Sequence, residues 1–400
     1  MSEYSGKDSH RAQAPLVGPN AITVPNKVEL TREDIISMVD HWRDVYGDPP
    51  EDLTCYDTTW PRGPKLNRQN LSGLNLNRLD LRGIDLSLSD LRNIIFSVCD
   101  LRGTSLFGSD LSGSQFWSAR LQGSNLRQTY FDEESKLNYA HLEDADLSYA
   151  RLEGTSLYGA YFDDRSRLYQ TYLDKVDLTE ADLEAVDLRQ VARLRWLRVY
   201  LAKLDRTQFY AYQLEDAIGE EVQCKYLQAA RAYRVLKANF QQLGQYSDAS
   251  WSYRKERRME KLAALEKAKE AWQKHDWKEA ILCYAKVAGD QLVEWVCDYG
   301  ESVPRVLGSL LVIYVLFTLV YGLTWSVIRV HATATAIIRE PTRNLVDLAR
   351  FSLGAMTTMD LAGLEPRNGL VELLAGLEAL LGIALTGLLG FVVGNRIRRS

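Results

Sequence analysis

The chain has 400 residues, with 48 Lys and Arg against 53 Asp and Glu, and a formal net charge of −5. Its length allows two or three domains, and its weakly acidic balance argues against a nucleic-acid binder, which needs a strong basic stripe to displace counterions. Five scattered cysteines form no CxxC pair, which is typical of reduced thiols in a cytosol. The charges are uneven, because residues 301–400 carry only 16 of the 101.

The N-terminal region is predicted to be two segments. Residues 1–28 mix Ser, Gly, Pro and polar residues without periodicity or an apolar core, which predicts disorder and no signal peptide. Residues 29–63 are predicted to form an N-terminal helix and cap. Thr31 and Asp34 make a capping pair, and the helix directs four apolar side chains inward: Ile35, Ile36, Val39 and Trp42.

A five-residue period runs through residues 64–190. A large apolar residue recurs 25 times between Leu66 and Leu188, with single insertions near 132–136 and 163–167. Small residues such as Ser109 and Ala145 often stand two positions earlier, and Asp or Asn, such as Asp146, one position earlier. The period fits neither a helix nor an alternating strand. It indicates a chain that turns a corner every five residues, with Asp and Asn bonding backbone groups at the turns.

Segments such as 145–149 (ADLSY) and 181–185 (ADLEA) resemble the A(D/N)LxX motif of pentapeptide-repeat proteins. The resemblance implies a right-handed quadrilateral β-helix with four repeats per coil and about six coils. Some members of that family mimic duplex DNA, but acidic and basic residues are interleaved here. We therefore expect a rigid docking surface for an unknown cytosolic protein or ligand, with no nucleic acid bound.

Two further segments precede the apolar tail. Residues 191–219 lose the five-residue phase and are predicted to cap the solenoid, whose end would otherwise expose strand edges. Residues 220–300 have helical spacing, and segments 244–249 and 275–280 resemble the turn and second helix of tetratricopeptide repeats (TPRs). A TPR-like helical domain is expected there, favoured as a coupling element over a dedicated peptide receptor.

Residues 301–400 contain two long apolar stretches. Residues 306–328 carry no charge, and residues 373–395 carry only Glu378, so each is long enough to span a bilayer. Arginines flank both stretches, and the large N-terminal region lacks a signal. We therefore predict a multi-pass protein of a bacterial inner (plasma) membrane with both termini cytoplasmic.

The segment between the spans carries the sharpest motif. An amphipathic stretch, 344–358, leads into Thr357-Thr358-Met359-Asp360-Leu361-Ala362-Gly363-Leu364-Glu365-Pro366. This segment resembles the pore loop of two-transmembrane potassium-channel-like proteins, in which a threonine pair and a proline bracket the filter. The resemblance implies a homotetramer, a selectivity filter at residues 357–363 and a gating hinge at Gly382.

The filter departs from that family where Asp360, Leu361 and Ala362 replace Gly-Tyr-Gly. Potassium selectivity depends on glycines that reach unusual dihedral angles. The sequence therefore predicts a cation pore that is not potassium-selective, in which a ring of Asp360 side chains attracts monovalent cations. Glu378 is an intramembrane acid expected to pack behind the pore helix. No other cofactor, metal site or enzymatic activity is expected, because the five histidines are dispersed.

The alternative hypothesis is a non-conducting membrane anchor that carries a pentapeptide-repeat scaffold for protein–protein interaction. A third and weaker hypothesis, binding to a topoisomerase, is made awkward by attachment to a membrane.

Overall fold

The computed structural model describes residues 30–57, 60–324, 327–332, 337–359 and 363–399. The disorder predicted for residues 1–28 lies outside these ranges. The chain divides into two compact units, Met1–Met259 and Glu260–Ser400. The helices are α1 (Arg32–Tyr46), α2 (Gly219–Val222), α3 (Tyr226–Gln242), α4 (Tyr246–Gln273), α5 (Trp277–Cys297), α6 (Val303–Thr324), α7 (Leu345–Thr357) and α8 (Gly369–Arg399); the strands are β1 (Val327–Ala332), β2 (Ile337–Pro341) and β3 (Leu364–Pro366).

The five-residue period forms a β-solenoid in the first unit. Parallel bridges pair residues 20 positions apart, beginning with Lys65 and Asp85. Twenty residues are four pentapeptides, so the prediction of four repeats per coil is confirmed. Where a coil contains the first inserted residue, the spacing becomes 21, as between Gln115 and Lys136, and parallel bridges continue in the following coils.

The solenoid interior is a column of apolar side chains. None of the 25 central residues is more than 5% exposed, and the rings of Phe96 and Phe116 lie 5.1 Å apart. The small residues of the repeat point inward as predicted, and the Ser109 hydroxyl donates to the Leu86 carbonyl oxygen at 2.8 Å. The aspartates serve the turns, since the Asp110 carboxylate accepts from the backbone N–H of Ser112 at 3.1 Å.

Helix α1 begins with the predicted capping box of Thr31 and Asp34, and its inner face buries Ile35, Val39 and Trp42. Ile36, predicted to point inward, is only partly buried. The segment after α1 lies along the solenoid surface, where the Cys55 N–H donates to the Gly123 carbonyl oxygen at 2.8 Å.

The solenoid extends beyond its predicted end. Bridges continue to the pair Asp187 and Gln208, so residues 191–208 are further turns rather than the start of a cap. This part of the repeat is hard to recognise in the sequence, because a third inserted residue shifts the five-residue period and residues 193–198 are rich in arginine. The open edge is closed by Glu220, whose carboxylate accepts from the backbone N–H groups of Val199 at 2.7 Å and Tyr200 at 2.6 Å.

Helices follow in the predicted 220–300 region, but their arrangement differs from two separate hairpins. Helix α4 runs unbroken for 28 residues. It follows α3 after a turn at Gly244, which has a φ of 72°, and it also precedes α5. One helix thus covers the stretch between the two predicted turns, and the TPR-like arrangement stays a prediction.

The second unit contains a feature that the sequence did not predict. Strands β1, β2 and β3 form an antiparallel sheet in the order β2-β1-β3, where a loop was expected. Val327 lies opposite Pro366 and Arg329 opposite Leu364. Helices α6, α7 and α8 pack together around Phe317, Tyr321 and Leu348. The sheet thereby joins the end of α6 to the segment that follows α7.

Candidate pore region

Helices α6 and α8 are long and apolar enough to cross a membrane by length and composition. Only 22% of the most apolar window of each helix is buried. Most residues of these two windows are therefore not buried within the chain.

Helix α7 is the helix predicted at 344–358, and its N-terminus is held by polar contacts. The Asn344 side chain accepts from the Val346 N–H at 3.0 Å and caps the helix. Asp347, in the first turn, is buried, pairs with Arg329 of β1 and accepts from the Thr342 hydroxyl at 2.9 Å. A carboxylate is favoured at a helix N-terminus by the helix dipole. These bonds fix the start of α7 to the sheet.

The predicted filter begins where α7 ends. Thr358 terminates the helix in a left-handed conformation with a φ of 57°. The Thr357 hydroxyl donates to the Leu353 carbonyl oxygen at 2.7 Å, and the Met359 side chain is exposed. Asp360, Leu361 and Ala362 lie outside the described residues.

After those three residues, the chain is tied to β1. Gly363 has a φ of 93°, which glycine adopts without the steric penalty of a Cβ atom. Its carbonyl oxygen accepts from the Val330 N–H at 2.8 Å, and β3 then pairs with β1. Both flanks of the predicted filter are thus attached to ordered elements.

Glu378 joins all three helices. It is completely buried. The Tyr321 hydroxyl of α6 donates to its Oε2 at 2.9 Å, and the Ser352 hydroxyl of α7 donates to its Oε1 at 2.5 Å. Glu378 therefore packs against α7, and its place behind a pore helix stays a prediction. Sequence reasoning identified the acid and missed both hydroxyl partners, which only the packing reveals.

Gly382 of α8 lies directly against Met356 of α7. A Cβ atom at this position would stand 2.8 Å from Met356 Cγ and 3.1 Å from the Met356 carbonyl carbon, with the carbonyl oxygen closer still. In contrast, Gly376, Gly387 and Gly390 of the same helix have no atom within 4 Å of such a Cβ. The geometry gives Gly382 a packing role. Its predicted role as a gating hinge stays a prediction.

The solenoid surface carries paired charges. The Arg92 guanidinium lies 2.6 Å from the Asp90 carboxylate, and Arg189 lies 2.8 Å from Asp187. Hydrogen bonds from Arg189 hold the pKa of Asp187 below its ordinary value. Because arginines two positions along the chain neutralise such aspartates, this surface lacks the uniform negative charge of duplex DNA. Within the described residues, no group of three or more His, Cys, Asp and Glu side chains is placed to hold a metal ion.

Comparison with known proteins identifies the solenoid. The model of the family "Pentapeptide repeats" matches residues 99–133 and 133–164, with eight copies. Residues 99–164 are therefore a run of pentapeptide repeats. The family match ends at residue 164. No curated protein matches the chain.

Several solved pentapeptide-repeat structures are similar to part of the chain. Rfr23 from the cyanobacterium Cyanothece 51142 is 33% identical over 23% of this chain, with a TM-score of 0.23, and the chain spans 63% of its length. HetL from Nostoc sp. strain PCC 7120, involved in heterocyst differentiation regulation, is 28% identical over 37% of this chain and 67% of its own, with a TM-score of 0.18. QnrB1, a plasmid-mediated fluoroquinolone resistance protein, is 19% identical over 38% of this chain and 73% of its own, with a TM-score of 0.25.

Proposed function

We propose that this protein is a membrane cation channel of the two-transmembrane pore-loop type, regulated by a cytosolic pentapeptide-repeat domain. Four copies of residues 301–400 surround one pore in a bacterial plasma membrane, with both termini in the cytoplasm. Pentapeptide-repeat proteins are generally structural or interaction proteins rather than enzymes. The solenoid accordingly docks a cytosolic partner or ligand.

The observation that carries the proposal is the position of α7. This short helix is packed between two apolar helices and is bonded through Ser352 to Glu378 of α8. A short helix packed between two candidate spans and ending in a threonine pair resembles the arrangement of a pore loop, and this likeness supports the proposal. The C-terminal end of α7 carries the negative end of the helix dipole, which favours a cation at the predicted filter.

Asp360 is proposed to set the preference for cations, since rings of acidic side chains attract cations in pores. The TPR-like segments at 244–249 and 275–280 are proposed to couple the solenoid to the pore. The filter, which lacks the Gly-Tyr-Gly sequence, is proposed to pass monovalent cations without selecting potassium.

The test is cation flux through the purified full-length protein in liposomes. Wild type should pass both K⁺ and Na⁺, and Asp360→Asn should lower the conductance. Glu340→Gln is the control, because Glu340 is an exposed acid of the same inter-span segment outside the predicted filter. Absence of flux together with a monomeric or dimeric particle would refute the channel and leave the membrane-anchored scaffold.

A further inference from the structure

Helix α5 presents an apolar stripe to the outside of the second unit. The stripe contains two tryptophans near its ends and alanines in its middle. All of its side chains are exposed, with Ile281 at 63%, Leu292 at 61% and Trp295 at 71%. We call this stripe the α5 seam; its residues are Trp277, Ile281, Ala285, Ala288, Leu292 and Trp295.

The polar side of α5 is used within the same unit. Lys261 of α4 donates to the Gln291 side chain at 2.9 Å and also pairs with Glu294. Lys267 of α4 lies 2.7 Å from the Glu279 carboxylate. A helix on the surface of a soluble domain normally turns its apolar side inward and its polar side outward. Helix α5 does the reverse, and a contiguous exposed apolar surface of this kind marks an interaction site.

The spacing of the seam indicates what covers it. From Ile281 through Ala285, Ala288 and Leu292 to Trp295, the intervals are four, three, four and three residues. This is the 3.5-residue period with which α-helices wind around one another in a coiled coil. The alanines at the centre allow two helix axes to approach closely, because the distance between packed helices is set by the side chains at the contact.

The charges of α5 argue against a lipid surface as the occupant. Helices that lie on anionic membranes carry an excess of Lys and Arg on their polar side. Helix α5 has three acids against two lysines, and one of the acids, Glu294, pairs with Lys261. The residues that flank the middle of the seam, Leu282, Tyr284, Gly289 and Gln291, carry no charge.

The position of α5 in the chain sets the orientation of its copies. Helix α5 ends at Cys297, and α6 begins at Val303. If copies of α6 surround one axis, each is preceded by its own α5, so the copies of α5 run parallel and in register. We propose that the α5 seam packs against the α5 seam of a second copy of this chain. The inference rests on the self-assembly in the proposed function and not on ion conduction.

Disulfide cross-linking of the full-length protein in membranes tests the proposal. Cys55, Cys224 and Cys283, which are not buried, are first replaced by serine. Ala288→Cys is then introduced in the seam, and Lys286→Cys, equally exposed on another side of α5, is the matched control. A disulfide requires the two Cβ atoms to come within about 4.5 Å. Oxidation should therefore convert most of the Ala288→Cys chains to the mass of a dimer and leave the Lys286→Cys chains monomeric.

A second variant separates loss of the seam from loss of folding. Adding Leu292→Asp to the Ala288→Cys chain should abolish the cross-link, whereas adding Lys286→Asp should retain it. Equal cross-linking at positions 286 and 288, or none at 288, would overturn the proposal.

A fluorophore on Ala288→Cys reports the other possible occupants. Quenching by nitroxide-labelled lipids would place the seam on the bilayer and overturn the proposal. Absence of both quenching and cross-linking would place the seam against its own chain and would also overturn the proposal. Flux separates this inference from the proposed function. Cross-linking without flux contradicts only conduction, and flux without cross-linking contradicts only the seam.

Discussion

Replacing Gly382 by alanine is expected to force α7 and α8 apart. The added Cβ would lie 2.8 Å from Met356 Cγ and 3.1 Å from the Met356 carbonyl carbon. Carbon atoms in contact normally stand about 3.5–4 Å apart, so the two helices must separate by at least about 0.5 Å. Part of this contact is backbone, which cannot rotate away as a side chain can.

The size of the effect follows from comparison with other glycines of α8. Overpacking of this kind costs about 1–3 kcal/mol, while an alanine in place of a helical glycine gains about 1 kcal/mol of helix propensity. Gly387→Ala receives the same gain without a clash, because no atom lies within 4 Å of its Cβ. The difference between the two variants, about 1–3 kcal/mol, isolates the contact with Met356.

The assay is thermal unfolding of the full-length protein in one detergent, alongside cation flux in liposomes. Gly382→Ala should unfold several degrees below Gly387→Ala and should change the flux, since Met356 lies two residues before Thr358. Equal unfolding temperatures would refute the packing argument. A change in flux with unchanged stability would instead favour a hinge at Gly382.

Three further predictions concern the solenoid. Phe116→Ala should lower the free energy of unfolding by about 3–5 kcal/mol, because it empties a buried position of the core; a loss below 1 kcal/mol in urea titration would contradict the buried stack. Glu220→Ala should speed hydrogen exchange at the backbone N–H of Tyr200, since a buried donor left without an acceptor costs about 1–3 kcal/mol, and unchanged protection there would exclude Glu220 as the cap. The hydrogen bond from Arg189 lowers the pKa of Asp187 in the folded protein. The ion pair therefore stabilises the fold fully at any pH above 3.8, the ordinary pKa of the aspartate. This stabilisation is lost as the pH falls through the lower pKa that Asp187 has in the folded protein. Arg189→Gln should therefore unfold at a lower urea concentration than wild type at pH 7, and the difference between the two midpoints should disappear in acid. A difference that grows in acid would contradict the lowered pKa of Asp187.

The solenoid was predictable in detail because every repeat has the same spacing of large apolar, small and Asp or Asn residues. Its period, the inward position of small residues such as Ser109 and the turn role of Asp110 all depend on contacts between neighbours in sequence or one coil apart. The end of the solenoid was not predictable to the same degree. Residues 191–208 keep the backbone ladder while losing the sequence pattern, and the buried acid that closes the edge, Glu220, lies beyond the repeats.

In the pore region, too, the sequence predicted some features and missed others. Sequence indicated α6, α7 and α8 through their apolar composition, and it singled out Glu378 as an acid where none is expected. It missed the sheet of β1, β2 and β3, because its short strands show no clear alternation and β1 pairs with β3, which lies far along the chain beyond α7.

The sequence by itself determined the repeat, the helices and the unusual acid, since these follow from local periodicity and composition. Only the tertiary structure decided which groups meet. It brings the Tyr321 and Ser352 hydroxyls to Glu378, sets Gly382 against the Met356 carbonyl and turns the apolar side of α5 outward. Such contacts join residues that are distant along the chain, and they depend on how helices pack rather than on how each one forms.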